Sequence, residues 1–385
     1  MAITLVLHEA TRTGAPRVGG LIARELAKGE KIHVIVLKDG PLVPWLIDCV
    51  GSANLTVIES DEFSHLVDFE QRLRSAIRLL EARNDDLIYV NSVAASVFVI
   101  AAKMLQRRAL IHVHEKVAEI KSLLRCGLTK IDVMALADGA VLAAEDLARD
   151  IIETYGRLPR NCVNFGVAIE IEGVRAAAAA TPTPARNASG EAFRKGERLV
   201  VGMCGQGSPR KGADIFLASA EAAPDCDFLW VGGWAPDEAE INDAYEAYVE
   251  KKLPNFYVAG AVENPYAHIA LMDLFFLSSR EDPNPLVLVE AMALRVPLLC
   301  FSRTTAVADR LGRSAILCHG LPNVGEAVRV INACAPEKIR SESFRSLSDS
   351  WVSAFDLKEK MGVITDLIEK IRAVEAAPAS GASGR

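Results

Sequence analysis

The sequence predicts an α/β protein made of two parallel-sheet domains, and three observations predict it. The chain has 385 residues, more than one hydrophobic core usually organises. From residue 3, short β-branched apolar runs alternate with longer stretches of helical periodicity. That alternation stops after Gly166 and restarts at Leu199.

In the first half the expected strands are Ile3 to His8, His33 to Leu37, Leu55 to Glu59, Leu87 to Asn91, Leu110 to His114 and Ala140 to Ala143. Helical patterns such as Arg17 to Lys28 and Asp68 to Ala82 lie between them. After Gly166, AAAAATPTPARNASGEAFRKGE offers alanine, proline, small polar residues and charge but little that packs, so a linker or mobile excursion is expected over 169–196. The second series of strands is Leu199 to Cys204, Phe228 to Gly232, Phe256 to Ala259, Leu274 to Leu277, Leu298 to Phe301 and Ala315 to Cys318. Asp356 to Val374 has helical periodicity, and AAPASGASGR after it reads as disordered. The expected domains are therefore 1–168, a linker 169–196, a second domain 197–355, a C-terminal helix 356–375 and a tail 376–385.

Composition narrows the function classes. The chain is 50% hydrophobic and 24% charged, as globular proteins are. Its formal charge of -7 argues against nucleic acid as a partner. No run approaches the roughly 18 to 20 apolar residues that span a bilayer. Met1 to Glu9 lacks the marks of a signal peptide, so a cytoplasmic location is expected. The eight cysteines show no CxxC spacing and several sit in apolar strand-like runs, which suits buried thiols in a reducing compartment and no zinc site. On that view the sequon at Asn187 to Ser189 is a chance match.

Parallel sheets place ligands beyond the carboxyl ends of their strands, in two-domain chains at the crevice between the domains. After Leu199 to Cys204 comes GQGSPRKGADIFLASA, a glycine loop starting at Gly205 that carries Arg210 and Lys211 into a helical pattern. Its backbone N–H groups and two cations suit a phosphate, and a tight turn with a solvated basic pair is the plainer alternative. After Leu274 to Leu277 comes SSREDPNPLVLVEAMALRVPLLCF. Its prolines and Asn284 break the chain, so Pro285, Leu286 and Val287 should open a helix with free N–H groups suited to phosphate. Asp282 and Glu290, eight positions apart, offer carboxylates for ribose hydroxyls and a sugar ring. Arg280 would pair with the acid, bind phosphate, or stay in solvent.

DPNPLVLVEAMALRVP resembles the E-x7-E region of the retaining family 4 glycosyltransferases of the GT-B fold. Its string there is an acid, P-x-G/P-L, E-A-M-A, a small residue, V and P. The resemblance implies two Rossmann-like domains facing each other across a crevice. It implies that Glu290 holds the ribose, Asp282 contacts the donor sugar and Lys211 binds the diphosphate. Two departures stand out. Gln206 occupies the place where the family often has Arg, with Arg210 a candidate substitute, and Asp282 is one methylene shorter than the usual Glu.

In the first half, HEATRTGAPRVGG is similar to the T-G-A-P loop of a subset of these transferases, which places Gly14 and Ala15 beside the donor phosphates and the acceptor. Without that likeness it reads as a strand-to-helix turn of small residues. Asn91 ends one expected strand, and His114 with Glu115 ends the next. The resemblance puts His114 under the donor sugar, and a satisfied buried histidine is the alternative. His112 is assigned to the opposite face of that strand and hence to the core. NFGV at Asn164 to Val167 is similar to the segment that closes the first domain, and the helix 356–375 would cross back onto that domain.

The implied reaction retains configuration and uses neither metal nor cofactor. His114, Asp282 and Lys211 are its catalytic candidates, and Lys211, Arg210 and the helix start near Leu286 would stabilise the leaving group. The implied partners are a UDP- or GDP-sugar donor and a glycan, lipid-linked or small-molecule acceptor, as in polysaccharide biosynthesis. Peripheral membrane contact through a basic amphipathic stretch, Lys116 to Lys130, stays open. So do two other readings: a sugar-nucleotide epimerase on the same fold, and a non-catalytic module that binds nucleotide or glycan.

Overall fold

The computed structural model describes residues 2–11, 14–64, 66–115, 117, 120–121, 133–234, 242–282, 284–305 and 315–373. Most of the stretch Lys116 to Lys130 and the tail 376–385 lie outside them, as does Cys126. The chain divides into two compact units, Met1–Gly166 with Lys360–Arg385, and Val167–Glu359.

The first unit is a seven-stranded sheet of β1 (Ala2–Leu7), β2 (Lys31–Val36), β3 (Leu55–Val57), β4 (Leu87–Asn91), β5 (Arg108–Val113), β6 (Gly139–Leu142) and β7 (Asn161–Asn164). The strand order is β3-β2-β1-β4-β5-β6-β7, and every pairing is parallel. Parallel strands are buried on both faces and so read as near-continuous apolar runs. Val6, Ile88, Val90, Ile111 and Val113 accordingly share one buried cluster with Phe98, Ala101 and Ala102 of the helix Val97–Met104. Strand β7, Asn-Cys-Val-Asn, carries no such run and was not expected; it is an edge strand, half-exposed.

The last helix, Leu357–Ala373, ends within this unit. Arg372 pairs with Asp86 at 2.8 Å and with Glu30 at 2.6 Å, and the Arg108 guanidinium donates to the Ile371 carbonyl at 3.1 Å. That donation satisfies a carbonyl of the last helical turn, which has no intrahelical partner.

The second unit is a six-stranded parallel sheet of β8 (Val200–Cys204), β9 (Asp227–Val231), β10 (Phe256–Val258), β11 (Leu274–Leu277), β12 (Leu298–Phe301) and β13 (Ala315–Cys318), in the order β10-β9-β8-β11-β12-β13. Its core centres on Phe216 of the helix Ala213–Ala222, edge-on to Phe228 at 5.3 Å, Trp230 at 5.4 Å and Phe256 at 5.9 Å between ring centroids. Two parallel α/β units are thus what the alternation of runs predicted.

Residues 169–196 differ from the expected linker. They contain a helix, Ile171–Ala178, that buries Ile171 and Val174. Residues three apart share a helix face, so two branched side chains suffice to anchor an otherwise alanine-rich turn. Further on, Arg186 and Val258 exchange backbone hydrogen bonds of 3.0 and 2.8 Å at β10. Asn187 is buried, its side chain accepting from the amides of Ser189 and Glu191. A composition of small residues hid a segment whose backbone is satisfied by a strand and an Asx turn.

Candidate functional site

In each sheet the strand order reverses direction once, between β1 and β4 and between β8 and β11. Crossovers leave a reversal point in opposite directions, so the loops at the strands' carboxyl ends there are free to hold a ligand. Most of the segments singled out in the sequence follow these four strands, and His114 with Glu115 follows β5, the neighbour of β4.

After β8, the loop reaches the helix Ala213–Ala222 through Gly212, whose φ is +69°. A Cβ at Gly212 would lie 2.0 Å from the Ser278 carbonyl oxygen, so only glycine permits this approach of the two loops. The Ser278 hydroxyl donates to the Lys211 carbonyl at 2.9 Å. Lys211 Nζ is thereby aimed at Asp282 and forms an ion pair with Asp282 Oδ2, both side chains largely buried. The Asp282 amide donates to the Thr304 carbonyl at 2.8 Å, which fixes the acid from behind.

Glu290 lies in the helix Leu286–Ala293, which starts behind Pro285 with no side-chain cap. The first-turn N–H groups of Leu286 and Val287 have no intrahelical acceptor, as at any helix start. Glu290 is only 4% exposed and accepts a 2.9 Å hydrogen bond from the Tyr266 hydroxyl. A carboxylate so far out of water needs such donors. Sequence reasoning missed Tyr266, since nothing in its local pattern marks it.

Two expectations change here. The glycine loop has two of its amides already engaged: Gly205 N–H donates to the Val231 carbonyl at 2.9 Å, and Gly207 N–H to the Gly233 carbonyl at 2.7 Å. Strand-end backbone takes these two donors, so they are not open to a phosphate. Arg280 does not pair with Asp282. It makes a two-pronged pair with Asp214, at 2.7 and 2.6 Å. Burial raises the Asp214 pKa, but the hydrogen bonds and charge of Arg280 outweigh it and hold the carboxyl below its usual 3.8. Arg210 donates to the Glu281 carbonyl at 3.1 Å.

In the first unit the helix Gly14–Leu26 begins three residues earlier than expected, at Gly14, with Pro16 in its first turn where a fixed φ is tolerated. The Ala15 carbonyl accepts from Asn91 Nδ2 at 3.0 Å, and Asn91 Oδ1 lies 3.0 Å from His114 Nε2. With the amide nitrogen committed to Ala15, Oδ1 can only accept, so His114 Nε2 carries the proton. Burial, and then the charge of His8, pushes the His114 pKa down to about 3, so the ring is neutral at pH 7. Glu115 turns to the backbone, accepting from the Ser92 hydroxyl, from Val93 N–H at 3.2 Å and from His114 N–H at 3.0 Å. Ser92 holds φ at +107°, a strained value for a non-glycine residue, directly after Asn91.

The assignment of His112 to the face opposite His114 is overturned: the two rings stack at 3.9 Å. Strand side chains alternate, so positions two apart share a face. His112 is nevertheless fully buried, with Nδ1 3.0 Å from the Tyr89 hydroxyl.

Residues 198–331 match the family described as glycosyl transferases group 1. That stretch contains Lys211, Asp214, Arg280, Asp282 and Glu290. Alpha-galactosylglucosyldiacylglycerol synthase of Streptococcus pneumoniae is 35% identical over 106 residues, 26% of this chain and 28% of that protein. The chain thus spans little more than a quarter of that relative's length. Among solved structures, Anabaena HepE in complex with UDP and glucose superposes with a TM-score of 0.76 at 18% identity, covering 96% of this chain and 100% of that one. A glycosyltransferase from Rickettsia africae gives 0.73 at 15% identity, covering 97% and 99%. Sucrose-phosphate synthase from Thermosynechococcus elongatus gives 0.72 at 15% identity, covering 97% and 99%. At these identities the likeness is one of fold, and the fold is GT-B.

Proposed function

We propose that this chain is a glycosyltransferase that moves a sugar from a nucleotide-sugar donor to an acceptor hydroxyl. The observation that carries this reading is the ion pair of Lys211 with Asp282, formed by the two loops at the β8/β11 reversal. Glu290 stands about one turn into the helix that starts at Leu286, within the segment matched by the family.

In the reaction the bond from the anomeric carbon to the diphosphate oxygen breaks and a bond to the acceptor oxygen forms. The acceptor proton leaves with the departing diphosphate. Lys211 and Arg210 neutralise the charge growing on that leaving group, assisted by the helix start at Leu286 and Val287, so the step needs no metal. Asp282 contacts the donor sugar and Glu290 the ribose. His114, neutral and held by Asn91 through its Nε2–H, has Nδ1 left to accept from a sugar hydroxyl and adds no charge. Gly14 and Ala15 border the acceptor. Family 4 and retention of configuration follow from the E-x7-E resemblance.

The donor is a UDP- or GDP-sugar, with UDP favoured because HepE holds UDP and glucose. The acceptor is a glycan or a lipid-linked sugar, which the pneumococcal glycolipid synthase supports. A thermal-shift screen with UDP, GDP, ADP and their sugars tests the reading. A ligand bound at a hundred times its Kd adds about 2.7 kcal/mol of stability. No rise in Tm with any of them would sink it.

A further inference from the structure

We propose that Arg280 and Asp214 form a clamp whose task is to aim Lys211 at the donor diphosphate, a positioning role that rests on the transferase reading above. Arg280 sits on the loop after β11, yet its bonds go to the loop after β8 and to the first turn of the helix behind it. Its guanidinium donates to the Pro209 carbonyl at 2.7 Å and to both Asp214 oxygens at 2.7 and 2.6 Å. Its own backbone N–H donates to the Arg210 carbonyl at 2.9 Å, and Arg210 returns a bond of 3.1 Å to the Glu281 carbonyl. Lys211 lies between these ties, and its carbonyl is held by the Ser278 hydroxyl at 2.9 Å. Every residue from Pro209 to Lys211 is therefore bonded to the other loop.

Stability does not explain the pair. The Arg280 and Asp214 side chains are 44% and 50% exposed, and ion pairs at that exposure contribute little to folding. Geometry does explain it, because one planar fork binds two carboxylate oxygens and a carbonyl together, as a lysine cannot. Without it, the Arg280 N–H, Arg210 and Ser278 bonds would remain, but the side-chain ties at Pro209 and Asp214 on either side of Lys211 would be lost and the ammonium would be less firmly aimed.

The test measures UDP, UMP, GDP and GMP affinity by calorimetry for the wild type, Arg280→Lys and Asp214→Asn. Loss of one charge-assisted contact to the diphosphate is worth about tenfold in affinity. Both variants should bind the diphosphate recognised by the wild type about tenfold more weakly, with the monophosphate changed less than about twofold. A structural role alone would weaken both nucleotides alike, and that result overturns the proposal. So does unchanged diphosphate affinity in either variant. Should the wild type bind neither UDP nor GDP, the donor reading itself fails and the clamp with it. Asp214→Asn keeps shape at a half-exposed position, so it reports even if Arg280→Lys disturbs the loops.

Discussion

At the β8/β11 reversal the loops meet through charge, Lys211 on Asp282 and Arg280 on Asp214, whereas from β1 through β4 to the end of β5 they meet through neutral bonds, from the Ala15 carbonyl to Asn91 to His114. The strand orders around the two reversals correspond, so topology does not set this difference. On the proposed reading, ligand chemistry does. A diphosphate rewards cations fixed in place, while a sugar hydroxyl needs donors and acceptors of settled direction. Even Glu115, the acid after β5, is turned to backbone amides and the Ser92 hydroxyl.

The sharpest way to break this comparison is to remove the charge at the second reversal. Lys211→Met should lower donor turnover by about 10² to 10³-fold, the usual cost of one preorganised donor aimed at developing charge. Nucleotide release from the sugar nucleotide giving the largest thermal shift reads this out. A loss below about tenfold would place the leaving group elsewhere.

Acid should separate the units next. In the first unit, His33 lies buried with Nε2 2.8 Å from Thr56 Oγ1, and burial, followed by the charge of Arg83, lowers its pKa from 6.5 to about 4. Between those values the unfolded chain binds a proton that the folded chain refuses, so stability falls as pH drops from 6.5 to 4 and levels off below. At pH 5 the loss is about 2 kcal/mol. In the second unit, buried Asp273 is bonded to Arg340 at 2.8 Å, Lys195 at 2.9 Å and Val200 N–H at 3.0 Å. Burial raises its pKa, but these partners prevail and hold it below 3.8, so its contribution persists until lower pH. His114 at the end of β5 is depressed in the same sense, so hydrogen exchange at pH 7 and pH 5 should show protection falling first in the first unit, around β2 and β3 and around β5. Equal loss in both units would contradict it.

The same contrast shows what was legible in the sequence. Strands buried on both faces announced themselves as apolar runs, and only the half-exposed β7 escaped. The loops after β8 and β11 were found because prolines, glycines and charges interrupt such runs. What escaped was pairing. Asp214 and Arg280 are 66 positions apart and Tyr266 and Glu290 are 24 apart, and no local pattern encodes which acid a cation will meet. Arg280 stands two positions from Asp282, yet the folded backbone turns it to another partner. The packing of 169–196 was hidden for a related reason, since part of its backbone is satisfied by β10, distant in the sequence.

Two smaller effects sharpen the comparison. Asn91→Ala leaves the Ala15 carbonyl and His114 without their bond, so turnover should fall about tenfold. UDP or GDP affinity should stay within about twofold, because the proposed diphosphate contacts lie at the other reversal. An equal fall in nucleotide affinity would contradict that division.

Tyr266→Phe should give the smallest effect, about threefold in donor KM with kcat nearly unchanged. The hydroxyl donates to Glu290 Oε1 at 2.9 Å, and removing it leaves a buried carboxylate with one donor fewer. The carboxylate then rotates toward any remaining donor, and a ribose hydroxyl must pull it back. That cost falls equally on bound substrate and transition state, which is why KM moves and kcat does not. Glu290→Gln in the same assay should raise KM further, and combining it with Tyr266→Phe should add little, since both changes act through one carboxylate. Full additivity would mean that the tyrosine acts on the donor by a route other than Glu290.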